Sequence, residues 1–342
     1  MNGQQRFIAA CRRENLERPP LWLMRQAGRY LPEYRKMKEQ YDFVTMVKTP
    51  ELAAKVTLQP IERFGFDAAI IFSDILVIPE ALGQAYSFRE KGGIQMAFDI
   101  RSEDDLANLS LDRVEEHLQY VPEALKITRR QLGEETALIG FSGSPWTLAT
   151  YMIEGGSSKA YEYVKGMLYQ DSKLLHRLLE LNTQAIIKYL QMQVNAGVDA
   201  VQIFDSWAGI LSSETYWKTS GQYIARIVEA ISPQVPVIVF AKGAHTWMDA
   251  LKRTKAQVLG LDWTIPINQF YDDLQGQTAV QGNLDPVIMS SNPGIVKQEA
   301  LKILDAMDGR PGHIFNLGHG ILPSAKIECV ETLVETVKSY RG

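Results

Sequence analysis

Cysteine is nearly absent: the chain has two in 342 residues, Cys11 and Cys329, at opposite ends of the sequence. Two such residues build neither a disulfide framework nor a thiolate metal cage. They read as reduced thiols of a cytoplasmic protein. Long apolar runs are also missing, so no segment is expected to span a bilayer. The first twenty residues, MNGQQRFIAACRRENLERPP, lack the apolar centre of a signal peptide and carry Glu14 and Glu17, unlike a transit peptide. Positive charge is not in surplus, since 36 Lys and Arg against 40 Asp and Glu leave a net −4. Nothing in that balance invites nucleic acid or an anionic membrane. Any anion site must be a local concentration of base.

Several chemical signatures are lacking as well. The five histidines, His117, His176, His245, His313 and His319, form no His-Glu-x-x-His or His-x-Cys metal pattern. There is no Gly-x-Ser-x-Gly nucleophile elbow, no dinucleotide fingerprint and no P-loop. GGSS at 155–158 is only a glycine-rich loop. Neither a metal nor a cofactor is expected.

What is present is an alternation. Short apolar runs, many β-branched, recur at 19–24, 68–74, 137–143, 200–206, 235–242, 258–264, 278–285 and 313–320. Several alternate poorly between apolar and polar, as strands of a parallel sheet buried on both faces do. Helix-like stretches lie between them, among them 110–132, 171–197 and 324–340, the second closed by Gly197. Strand–helix alternation means βαβ units, and about eight units predict an α/β fold: one closed (β/α)8 TIM barrel, residues 1–342 as a single domain. A doubly wound open sheet is the alternative. It usually carries the glycine fingerprint that is missing here.

A barrel gathers functional side chains where its strands end. Those ends carry Arg25, Asp74, Ser142, Ser144, Asp205, Ser206, Lys242, Asp262, Asn283, Asp285 and His319. Taken singly, Asp74, Asp205, Asp262 and Asp285 read equally well as helix caps, and Lys242 as a solvated loop lysine. His319 stands between Gly318 and Gly320, whose freedom to turn would expose the ring. Arg25 and Arg29, in PLWLMRQAGRY (20–30), are harder to explain away. Arginine is rarely buried without a partner, and its planar fork suits carboxylate or phosphate. They are either internal ion pairs or an anion clamp. Arg35, Lys36 and Lys38 extend the basic tract as a solvated helix face. In GFSGSPWTLATYMIEGG (140–156), Pro145 opens a helix with Tyr151 on its second turn. The residues alone lead to a cofactor-free barrel with an arginine-rich mouth and a polyanionic small substrate. They do not name the reaction.

The same stretches resemble the uroporphyrinogen decarboxylase family. PLWLMRQAGRYLPEYR and GFSGSPWTLATYMIEGG match its two signatures, and FSDIL (72–76), FDSWAG (204–209), FAKG (240–243), GNLDP (282–286) and NLGHGILP (316–323) follow in the family's order. The resemblance runs from about residue 6 to residue 340. It implies a homodimer with clefts at or facing the interface, and cofactor-free decarboxylation of the four acetates of uroporphyrinogen III to methyls, giving coproporphyrinogen III. It implies that Arg25, Gln26 and Arg29 hold carboxylates, that Asp74 meets the pyrrole NH groups, and that Tyr34 lines the pocket. Tyr151, Ser206 and His319 complete the site. Some members carry arginine where this chain has Lys38, a point charge in place of a fork. Zinc- or corrinoid-type methyltransferases share the barrel, but FAKGAH holds no cysteine beside His245. A non-catalytic tetrapyrrole-binding protein is the other rival.

Overall fold

The computed structural model describes residues 1–89 and 93–341. In chain order the strands are β1 (Ala68–Ile70), β2 (Tyr86–Phe88), β3 (Ile94–Met96), β4 (Ala137–Gly143), β5 (Ala200–Asp205), β6 (Val237–Ala241), β7 (Val258–Gly260), β8 (Ala279–Leu284) and β9 (His313–Leu317). Seven of them pair in parallel in the order β1-β4-β5-β6-β7-β8-β9. β2 and β3 form a separate antiparallel pair, which the sequence reading did not anticipate.

The sheet curls until its two edges face each other, and residues 20–24 fill the gap. Phe315 N–H donates to Pro20 C=O at 2.9 Å on one side, and Asp67 N–H donates to Leu21 C=O at 2.9 Å on the other. The run expected as a first strand over 19–24 is therefore a seam with a single bridge, Leu21 to Phe315, rather than a regular strand. The cause is local. Pro19 and Pro20 have no N–H to give a ladder, and Leu21 N–H is taken by the Asp67 carboxylate at 2.8 Å. Arg6 and Arg18 also ion-pair with Asp67, at 3.2 and 2.8 Å, so this end of the barrel is held by charge.

Alternation along each strand separates lumen from outer face. Trp22, Ala68, Ala137, Ala200, Ile238, Val258, Ala279 and Ile314 pack together inside with Met24, Ile139 and Phe240. The helix Gly3–Cys11 presses Phe7 into the lower end of that cluster, closing it. Above lies a polar layer. Trp22 Nε1 donates to Gln281 at 3.0 Å, and Gln281 donates to Gln202 at 3.0 Å. The outward-facing alternates, such as Val201, Ile203, Val237 and Val239, meet the surrounding helices.

Of the expected helices, 171–197 runs as Ser172–Asn195 behind an Asp171 cap, with Gly197 just beyond at φ +96°. The stretch 324–340 is helical over Ile327–Ser339. The stretch 110–132 is not one helix but two, Val114–His117 and Tyr120–Leu132.

Candidate active site

The site is built on turns at the carboxyl ends of the strands. The seam ends at Met24, whose peptide is gripped by β9 and the segment after it: Asn316 Oδ1, in the strand, accepts its N–H at 3.0 Å, and Ile321 N–H, beyond it, donates to its carbonyl at 2.9 Å. The next residue, Arg25, has φ +61°, a left-handed conformation that costs a non-glycine residue about 1–2 kcal/mol. That turn sends the chain out of the barrel wall and leaves Arg25 and Arg29 exposed. Among the described residues neither guanidinium has an ion pair or a hydrogen bond. The internal-salt-bridge reading of these arginines is thus set aside, and both forks are free, that of Arg25 beside Gly320.

Arg25 lies along Gly320, where a side chain would collide with its Cγ and Cδ. A side chain at Gly318 would meet the backbone of Asp262 and Trp263. Neither glycine has a positive φ. The chain bends at Gly318 and His319 as expected, without left-handed backbone, and the two flanking glycines also serve close approach.

His319 is half-buried, edge-on to Phe240, with 5.8 Å between ring centroids. Burial pushes its pKa down to about 4, helped by the positive charges of Arg25 and Lys242 and opposed by Asp262. Its Nδ1 accepts the Gly320 N–H at 2.8 Å, which places the ring proton on Nε2. At neutral pH His319 is an uncharged donor.

Asp74 follows β1 and is half-buried. Burial raises its pKa, against the Leu76 N–H that donates to it at 2.8 Å and against the charge of Arg25. Tyr151, from the helix Pro145–Glu154, is half-buried with its ring 5.9 Å from that of Trp207. Burial raises its pKa, and both Asp74 and Arg25 lie near enough to act on it. Behind Asp74, the buried hydroxyls of Tyr86, Tyr120 and Tyr189 also have raised pKa values, chiefly through burial and in part through Asp74. The structure thus brings Arg25, Asp74, Tyr151 and His319 into one electrostatic neighbourhood, although they span 295 positions of sequence.

Other candidates are placed differently. Gln26 is fully buried under the seam. Its Oε1 accepts Leu23 N–H at 3.1 Å and its Nε2 donates to Ala68 C=O at 3.1 Å, so its amide stitches the seam to β1. Tyr34 is 5% exposed, in the helix Pro32–Lys38, against Phe72 at 5.8 Å. Ser206 is half-buried one residue beyond β5. Asp205 is fully buried and accepts from Ser144 at 2.7 Å, Thr147 at 3.2 Å and Ser220 at 2.7 Å. It ties β5 to two neighbouring elements and does not face the mouth as a free carboxylate. Asp262 accepts Gly243 N–H at 2.6 Å and Thr264 N–H at 2.9 Å, and Asp285 caps the turn Pro286–Ser290. Asn283 donates to the carbonyls of Asp262 and Ile265. Arg35 spends its guanidinium on the carbonyls of Arg29 and Tyr30 at 3.0 and 2.9 Å, while Lys36 and Lys38 are exposed.

The sequence reading did not single out two residues that shape the site, Phe240 and Asn316. Strand parity is the signal that could have found Phe240 and Asn316. Both follow lumen residues by two, Ile238 and Ile314. Both thiols are buried in the core, and burial pushes Cys11 up to about 12. Among the described residues no group of three His, Cys, Asp or Glu is placed to hold a metal ion, and no helix is long and apolar enough to cross a membrane.

Residues 2–340 match the family described as Uroporphyrinogen decarboxylase (URO-D). A uroporphyrinogen decarboxylase from Chloroherpeton thalassium is 47% identical, covering 98% of this chain and 97% of that protein. One from Nitrosococcus oceani is 46% identical, over 97% and 95%. Among solved structures, a methyltransferase from Methanosarcina mazei superposes with a TM-score of 0.84 at 18% identity, over 99% of this chain and 98% of that one. At that identity the likeness speaks for the fold alone.

Proposed function

The chain belongs to the uroporphyrinogen decarboxylase family and is a carboxy-lyase of tetrapyrrole synthesis, and on that footing we propose how its mouth performs the reaction. It takes uroporphyrinogen III and converts each of four acetate side chains to methyl with release of CO2, yielding coproporphyrinogen III. The observation that carries this reading is the unpaired arginine fork of Arg25 beside a half-buried carboxylate, Asp74, with a second unpaired fork, Arg29, near Tyr34.

Losing CO2 from an acetate leaves an electron pair that needs a sink. A pyrrole provides one. Protonation of the ring carbon beside the acetate-bearing carbon makes an iminium-like cation, and the C–CO2 bond electrons flow into it. The exocyclic carbon then takes a proton to become methyl, and the ring proton departs. Each turn consumes one proton net and releases one CO2.

Asp74, ionised, accepts the pyrrole N–H groups and stabilises the cation as it develops, a preorganised electrostatic contribution. Its burial strengthens that contact by excluding water. Arg25 and Arg29 bind carboxylates that are not reacting. A guanidinium is a poor general acid because its pKa exceeds about 12, so the ring proton comes from a water or from a substrate carboxylic acid. His319 offers Nε2–H to a carboxylate. Tyr151 borders Asp74, and Tyr34 and Ser206 line the approach. Gln26 supports the wall that aims Arg25. The chain acts as one catalytic domain, paired with a second copy whose cleft faces its own, and needs no cofactor.

The test is turnover by metal-stripped protein with chemically reduced uroporphyrin III, anaerobically and with nothing added. Products carrying seven, six, five and four carboxylates support the reading. Tight binding with unchanged octacarboxylate would overturn it in favour of a binding protein.

A further inference from the structure

We propose that Lys242 is a substrate-binding residue of this site, holding a carboxylate on the side of the mouth opposite Arg25; the inference rests on the polycarboxylate substrate proposed above. Three independent features point to it. The first is strand parity. On β6, Ile238 and Phe240 face the lumen, whereas Val237, Val239 and Ala241 belong to the outer core. Lys242 is the next residue of lumen parity and stands at the strand's carboxyl end. Phe240, directly below it, is the ring that His319 rests against.

The second is position around the barrel. The staves run seam, β1, β4, β5, β6, β7, β8, β9 and back to the seam. β6 is four staves from the seam in either direction, so Lys242 faces Arg25 across the full width of the mouth. A macrocycle with carboxylates on every pyrrole has groups to offer both rims at once.

The third is charge. Lys242 is exposed, and among the described residues its ammonium has no ion pair or hydrogen bond. Asp262, which meets the next residue of the chain, is occupied by Gly243 N–H, Thr264 N–H and the Thr264 hydroxyl. The positive charges of Lys242 and Arg25 both bear on the imidazole of His319, so the two cations share one enclosure. A bound dianionic edge offers a counter-charge to both. A lysine, unlike a fork, tolerates a carboxylate in several orientations. That suits a rim past which four successive rings are turned.

The experiment compares wild type, Lys242→Met and Lys242→Arg. Anaerobic binding of uroporphyrinogen III is read by tryptophan fluorescence, alongside kcat and KM. Lys242→Met is expected to weaken binding and raise KM at least tenfold, to leave kcat within threefold, and to flatten the salt dependence of KM. Lys242→Arg restores KM to within threefold of wild type. In substrate-free protein, Lys242→Met also raises the titration midpoint of His319, a shift that mere loss of a surface lysine would not produce. Binding and KM within twofold of wild type in Lys242→Met would overturn the proposal. A wild type that binds but does not turn over would sink the decarboxylase reading while leaving the Lys242 comparison decisive. A wild type that does neither would sink both.

Discussion

The imidazole of His319 stands nearly perpendicular to the ring of Phe240, at 83°, while its Nδ1 takes the Gly320 N–H. The ring packs against Phe240 and one nitrogen is committed. Only Nε2 is left to address a ligand, and it carries a proton.

This arrangement predicts a histidine that does not titrate near neutrality. Its folded pKa, about 4, lies below the ordinary 6.5. The folded state therefore resists a proton that the unfolded state accepts. The penalty is absent above pH 6.5, grows as pH falls, and levels off below about 4. In ¹⁵N–¹H spectra His319 should remain an Nε2–H tautomer from pH 8 down to 5. A midpoint near 6.5 would contradict the buried setting.

Asp74 should govern the acid limb of kcat/KM. Burial raises its pKa above the usual carboxylate range, and the ionised form is the active one. Activity should rise with pH through that raised value. Asp74→Asn keeps the acceptor for Leu76 N–H and should fold normally, but lose about 10²–10³ in kcat, and the acid limb should vanish. Full activity in that variant would remove the electrostatic role.

Arg25 combines an unfavourable backbone with a free side chain. Arg25→Gly should be more stable than Arg25→Ala by about 1 kcal/mol, because only glycine adopts φ +61° without strain. Both variants should lose at least tenfold in kcat/KM. Urea titrations showing alanine equal to glycine would deny the strain.

Gln26→Leu tests a residue that reads as a ligand and sits as a brace. It leaves Leu23 N–H and Ala68 C=O unpaired inside the wall, at about 1–3 kcal/mol for each orphaned group. The melting temperature should fall by several degrees. In the folded fraction, KM should rise less than with Arg29→Leu, and the reverse order would restore Gln26 to the substrate.

Gly320→Ala places a methyl where the Arg25 stem now lies. KM should increase several-fold with little change in melting temperature, since φ at this position is not left-handed. An unchanged KM would mean that Arg25 is free to lie elsewhere.

Much of the architecture was legible because it is written in periodicity. Each of the eight apolar runs marks a stave, and Pro145 does open the helix that carries Tyr151. What escaped was decided by single hydrogen bonds. Asp67 captures Leu21 N–H, so a run as apolar as any strand becomes a one-bridge seam. Gln26 follows Arg25 directly, yet the left-handed turn points one out to solvent and folds the other under the wall. Asp205 ends β5 and Asp74 lies just beyond β1. Three hydroxyls consume the first, while the second keeps a carboxylate facing the mouth, and no spacing rule separates them. The tyrosines behind Asp74 come from elements far apart in sequence and carry no joint signal.

The seam has a consequence for how the molecule is made. Arg25 is synthesised almost at once, but the residues that hold Met24 beside it, from Asn316 to Ile321, leave the ribosome nearly three hundred residues later. No nascent chain shorter than that holds a finished mouth, however well its middle strands have paired. Closure over so long a separation is slow relative to local helix formation. The capacity to bind substrate therefore appears last, in one step, and substrate added during refolding should report completion of the barrel rather than its growth.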